Sequence, residues 1–216
     1  MKIVSLGTLD VWADRIAERF IAFMAMRPTA RVCLATGNTP RPVYDRLVAA
    51  VRAKRLSFRE AEVFLLDEFG GVPADAAGRC DIMLRRALLD HIDLPESGYR
   101  WLDTDRADLD EVCAEHDAAI VRPTPGRPVR GLDLTILGIG TNGHIALNEP
   151  GTLSDSPTRR VDLAPETTMA ATSGYFGGRH APTWGVTLGL APILASREIW
   201  LLASGLAKKP IVDRLL

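Results

Sequence analysis

The residues best suited to chemistry sit in four short runs. Gly138-Ile-Gly-Thr-Asn-Gly-His-Ile-Ala-Leu-Asn-Glu-Pro150 combines three glycines with His144 and Glu149. A carboxylate that orients one imidazole nitrogen leaves the other free to carry a proton, so this run reads as an acid–base pair in a loop that a ligand can approach closely. Asp67-Glu68 ends the apolar run Glu62–Leu66. Two acids there are costly unless they meet solvent, a partner or a substrate, and one facing a crevice would be a base with a raised pKa. A hydrated turn is the other reading.

Thr36-Gly37-Asn38-Thr39-Pro40 has the make-up of an anion cradle. Gly37 lets the backbone come close, Thr39 suits an N-cap and Pro40 a first helical position. Free amides at the positive end of a helix dipole would then face the anion. The alternative is a capped turn without a ligand. It is not a Walker loop, since no Gly-Lys-Ser/Thr follows. Lys208 and Lys209, after Gly205, either reach a phosphate as point charges or stay solvated. The G-x-G-x-x-G letters at Gly138–Gly143 do not make a dinucleotide site, because His144 fills the opening turn and no strand-ending acid follows about twenty residues on.

Alternating helix and strand patterns must position these runs. Trp12, Ile16, Phe20 and Phe23 mark a first helix, stopped near Pro28; Val43, Tyr44, Leu47, Val48 and Val51 mark a second. Further helices are expected around Cys80–Leu89, along Leu109, Val112, Cys113, His116 and Ile120, near Pro192, and from Lys208. Strands are expected at Arg31–Ala35, Glu62–Leu66, Tyr99–Leu102, Leu132–Leu137, Arg159–Leu163, Gly185–Leu188 and Ile199–Ala203. The breaker-rich Arg122–Pro128 reads as a surface turn inside one domain. The expected fold is a single-domain α/β three-layer sandwich, with a mostly parallel, Rossmann-like sheet flanked by helices. Because the polar runs follow apolar strands, they should converge on the crevice at the carboxyl ends of the sheet.

Composition narrows the function. With 216 residues, 47% hydrophobic and 25% charged, the chain is long enough for a full core. A net charge of −1 excludes a global basic field for nucleic acid or anionic membrane. No apolar run approaches the ~20 residues of a membrane span, and the N-terminus lacks a secretory h-region. Cys33, Cys80 and Cys113 have neither disulfide nor zinc spacing and read as reduced thiols of a cytoplasmic protein.

Taken together, Ala35–Pro40, Leu66–Phe69, Leu137–Gly151, Gly185–Gly189 and the strand-Gly-x-x-Lys ending at Lys208 resemble the glucosamine-6-phosphate deaminase/isomerase family, whose superfamily includes the 6-phosphogluconolactonases. The resemblance covers most of the chain. It implies Asp67 as the acid that takes the C2 proton, His144 as the ring-opening histidine and Glu149 as its orienting carboxylate. Thr36, Gly37, Asn38, Thr39, Glu68, Asn142, Gly143 and Lys208 are implied at the substrate, with Gly37, Asn38, Thr39 and Lys208 at its 6-phosphate. The implied reaction turns an amino-sugar 6-phosphate and water into a ketose 6-phosphate and ammonia, with no metal or organic cofactor.

The resemblance also has departures. Asn142 stands where some members carry an aspartate, and Gly174 where many place a phosphate-binding arginine, which leaves Arg179 or Arg41 to take over. No allosteric basic cluster is expected around Thr158-Arg159-Arg160. The chain stops inside its last expected helix, so the family's C-terminal segment is expected to be absent. A small-molecule sugar phosphate is the expected partner, gluco- or galacto-configured, and a homo-oligomer stays open. Two rivals remain: a 6-phosphogluconolactonase, and a sugar-phosphate-binding protein without catalysis.

Overall fold

A computed structural model describes residues 2–123 and 131–215 of the chain. The breaker-rich turn expected at 122–128 falls mostly in 124–130, outside the described residues. Five strands form a parallel sheet in the order β4-β2-β1-β5-β8. These are β1 (Arg31–Leu34), β2 (Glu62–Leu65), β4 (Tyr99–Arg100), β5 (Leu134–Leu137) and β8 (Glu198–Leu201). All four residues of β1 and of β5 are buried, as a parallel sheet covered on both faces requires.

Alternate residues of the central strands enter two separate cores. Val32, Leu34, Val63, Leu65, Leu134 and Ile136 pack with α1 (Leu9–Met26), α2 (Arg41–Arg52) and α3 (Cys80–Ala87). Cys33, Ala35, Phe64, Leu66 and Leu137 pack with Ile120 of α4 (Leu109–Val121) and Ile193 of α6 (Leu190–Leu194). Period-two side-chain alternation thus yields the three layers expected from sequence. The stripe Ile16, Phe20 and Phe23 is buried, and Thr8 caps α1 by accepting from the Val11 amide at 3.4 Å.

The sheet reverses direction once. From β1 the chain adds β2 and β4 on one side, then β5 and β8 on the other. The turns after β1 and β5 therefore flank the switch point, where open α/β sheets bind ligands.

A second sheet departs from the expected single parallel one. β3 (Asp67–Gly70), β7 (Trp184–Thr187) and β6 (Arg159–Asp162) pair antiparallel in the order β3-β7-β6. The run Asp67–Gly71, expected as a loop, supplies a strand, because its glycine admits a cross-strand ring. A Cβ on Gly70 would stand 2.2 Å from the Trp184 ring, and one on Gly185 would stand 2.6 Å from the Glu68 carbonyl oxygen. Gly70, which read as a turn signal, and Gly185, inside an expected strand, both act here as close-packing positions.

Helix α5 (Pro165–Gly174) was not among the expected elements, although Pro165 and Glu166 in its first turn are helix-start signals. Only Thr167 and Ala171, four residues apart, are buried, so its polar sequence carries no apolar stripe. The last helix starts as a 3-10 turn, Leu206–Lys208, and continues as α7 (Lys209–Asp213). All three cysteines are free and buried. No helix among the described residues is long and apolar enough to cross a membrane.

Candidate active site

The turn after β1 brings Thr36, Gly37, Asn38 and Thr39 to the switch point. Gly37 has φ +93°, a left-handed conformation that favours glycine. Helix α2 starts one residue later than expected: Pro40, already α-helical in backbone, is the N-cap, and Pro42 occupies the first turn. No side chain caps this end, so the Thr39 hydroxyl is not held in a cap. The Tyr44 hydroxyl donates to the Ala35 carbonyl at 2.6 Å and fixes where the strand ends.

Asp67 opens β3 with 8% of its surface exposed. Burial pushes its carboxyl up to about 6, and the Cys80 thiol opposes that shift. Strand alternation sends Glu68 the other way. Its carboxylate is fully buried and accepts the amides of Phe69 (2.7 Å), Cys80 (2.9 Å) and Asp81 (2.8 Å), with Arg79 at 3.8 Å. Glu68 therefore caps α3 from outside the helix. Its expected place at the substrate is corrected: it has no exposed surface to offer a ligand.

The loop after β5 builds the second half. The His144 ring lies against Gly140, where a Cβ would meet it at 2.4 Å. Asn142 donates to Glu149 Oε2 at 2.7 Å and accepts the His144 amide at 3.1 Å. Both ends of the Asn142 amide are engaged within the loop, which orients its neighbours, and its side chain stays partly exposed.

Glu149 lies 3.9 Å from His144 Nδ1, too far for a direct hydrogen bond. Thr167 of α5 bridges the gap: its hydroxyl donates to Glu149 Oε1 at 2.5 Å and lies 3.4 Å from His144 Nδ1. With the threonine proton committed to Glu149, Nδ1 is the donor to the hydroxyl oxygen, and Nε2 keeps its lone pair. Burial, helped by the Lys208 charge and opposed by Glu149, lowers the His144 pKa. The imidazole is thus neutral near pH 7, ready to accept a proton.

Lys208 donates to the Ile139 carbonyl at 2.6 Å and so stands beside the same loop. Gly143 has φ +100°, and a Cβ there would come 3.3 Å from Ile211 of α7. Arg41 and Arg179, expected to serve in place of an arginine at Gly174, are both exposed. A Cβ at Gly174 would meet nothing within 4 Å, so the space beside it is open.

Two links join the halves. First, Asp67 pairs in register with Thr187 of β7, whose hydroxyl accepts the Leu147 amide at 3.2 Å, while Asn148 donates to Leu188 O at 2.8 Å. The strand beside Asp67 therefore grips the segment between His144 and Glu149. Second, α5 starts at the His144–Glu149 pair with Thr167 and ends at Tyr175, whose hydroxyl overlies Gly37 and whose charge environment includes Asp67. The eight residue steps from Thr167 to Tyr175 span about 12 Å. Thr167 and Tyr175 lay outside the sequence expectations, because neither carries a motif and no apolar period marks their helix.

A family model described as glucosamine-6-phosphate isomerases/6-phosphogluconolactonase matches residues 8–216. A glucosamine-6-phosphate deaminase of Bacillus pumilus is 38% identical over all of this chain and 87% of its own length. That of Mycolicibacterium smegmatis is also 38% identical, over all of this chain and 80% of its own length. Among solved structures, a monomeric glucosamine-6-phosphate deaminase superposes with TM-score 0.91 at 30% identity, covering 100% of this chain and 87% of that one. A 6-phosphogluconolactonase from Thermotoga maritima, at TM-score 0.75 and 21% identity over 99% of this chain and 88% of that one, shares the fold. This chain belongs to the glucosamine-6-phosphate isomerase/6-phosphogluconolactonase family.

Proposed function

We propose that the protein is an amino-sugar-6-phosphate deaminase/isomerase that converts glucosamine 6-phosphate and water into a ketose 6-phosphate and ammonia. One observation carries this reading. A buried carboxyl with a pKa raised to about 6 heads the strand whose neighbour grips the loop of a neutral histidine. Lactone hydrolysis has no use for such a base at C2, whereas an aldose–ketose rearrangement needs one. The full-length relatives named as deaminases point the same way.

In this reading the phosphate rests on the Gly37–Thr39 turn with Lys208 nearby, and its binding energy orients the reacting carbons. His144 Nε2 takes the proton of the anomeric hydroxyl and returns one to the ring oxygen, which opens the pyranose. Glu149, through Thr167, holds the Nδ1–H tautomer. Asp67 then removes the proton from C2 of the open-chain aldehyde while the C2 ammonium gives one proton to the C1 oxygen, forming an enolamine, and Asp67 delivers its proton to C1. The C2 amine becomes an iminium; water adds to that carbon and ammonia leaves, giving the ketone. A carboxyl with a pKa near 6 is mostly ionised at pH 7 yet more basic than an ordinary aspartate, which suits proton abstraction.

Buried free thiols support a cytoplasmic location for the enzyme. An ammonia-release assay with the gluco- and galacto-configured phosphates, run beside 6-phosphogluconolactone hydrolysis, tests the reading. Ammonia from one epimer, lost in Asp67→Asn, supports it. Lactone loss without ammonia refutes it.

A further inference from the structure

Tyr175 is the C-cap of α5 and is held from several sides. Its ring centroid lies 6.3 Å from that of Phe69, which is two residues beyond Asp67 on β3 and so on the same strand face. Its carbonyl presses on Gly78, where a Cβ would stand 2.8 Å away. The next residue, Phe176, is buried with its ring centroid 5.6 Å from Phe69. The Tyr175 hydroxyl is thereby fixed over the anion turn, where a Cβ on Gly37 would lie 2.7 Å from Oη.

The phenol has no hydrogen-bond partner among the described residues, and burial is the main cause of its raised pKa, with Asp67 adding to it. An aromatic hydroxyl locked at the rim of a crevice leaves its donor capacity for a ligand. We propose that the Tyr175 hydroxyl is a specificity-determining donor to the phosphate end of the substrate, closing over the Thr36–Thr39 turn. The proposal rests on the deaminase reading for the identity of the ligand, although not for the geometry. No bond is made or broken: the hydroxyl donates to a phosphate oxygen and keeps its proton. Burial favours that behaviour by holding the phenol above its ordinary pKa.

Tyr175→Phe removes only the hydroxyl and retains the ring packed on Phe69. An unchanged melting temperature is expected, since no internal hydrogen bond is lost. The KM for the amino-sugar phosphate and the competitive inhibition constant of inorganic phosphate should rise together, roughly ten- to a hundredfold for one donor to an anion. The kcat and the acid limb of the pH profile should stay as in the parent. An unchanged phosphate inhibition constant would overturn the proposal. A lowered kcat with a displaced acid limb and unaltered phosphate inhibition would also overturn it, because the hydroxyl would then be acting on Asp67. A parent enzyme that releases no ammonia from either epimer would sink the functional reading alone; calorimetric titration of inorganic phosphate into the parent and Tyr175→Phe would still decide the role of the hydroxyl.

Discussion

Asp67→Asn should make the protein more stable while making it inactive. In the folded chain the carboxyl titrates at about 6 against an ordinary 3.8, with burial as the main cause. The folded state therefore binds this proton more tightly than the unfolded state. Stability is lost as pH rises from about 4 through about 6, and the full penalty applies above that. Over roughly two pKa units the linkage amounts to about 3 kcal/mol at pH 7.5 and about 0.5 kcal/mol at pH 4. Asparagine has nearly the same shape and never ionises, so it escapes the penalty.

For a chain of this size, 1 kcal/mol moves Tm by about 2–4 °C, so Asp67→Asn should melt roughly 6–12 °C higher than the parent at pH 7.5. The difference should shrink to within about 2 °C at pH 4. Glu68, pushed up to about 7 mainly by burial, titrates in both proteins and cancels in the comparison. Calorimetric melting and urea titration across this pH range supply the measurement. Ammonia release from the same preparation should fall about 10²–10⁴-fold. A lower Tm for the variant at pH 7.5, or a gain that is equal at both pH values, would refute the reasoning, because the ionised carboxyl would then not be the strained species.

Three further outcomes are expected. The kcat/KM of the parent should fall tenfold per pH unit below about 6, as Asp67 becomes protonated; a profile flat down to pH 5 would remove Asp67 as the base. Thr167→Val should lower kcat by about tenfold or more and Tm by a few degrees, and Thr167→Ser should restore both, since only a hydroxyl links Glu149 to His144 Nδ1. Glu68→Ala should destabilise the fold by about 2–4 kcal/mol in urea denaturation, because the amides of Phe69, Cys80 and Asp81 lose their acceptor inside the protein.

The layered α/β core and the loop chemistry were legible in the linear chain because their physics is local. Apolar runs such as Arg31–Leu34 and Leu134–Leu137 are buried on both faces, so they announce a parallel sheet wherever they end up. The glycines and prolines around Gly37 and Gly138 encode turns through their own backbone preferences, and His144 with Glu149 sit close enough in sequence to be read as a pair. The sheet reversal that makes the crevice depended on strand order, which no local pattern carries.

Tertiary structure decided which way the acids face and what joins the two halves. Asp67 and Glu68 are adjacent and alike, yet Glu68 is sealed in as the cap of α3 while Asp67 keeps some exposed surface, because pairing with β7 turned Asp67–Gly70 into a strand and alternation separated them. The hydroxyl between Glu149 and His144, and the phenol over Gly37, come from a helix whose polar sequence has no stripe to reveal it. Local preference chooses elements and turns. Bringing residue 67 against residue 187, and residue 167 against residue 144, requires the whole chain to have folded, because contacts at such separation are selected by packing and not by neighbours in sequence.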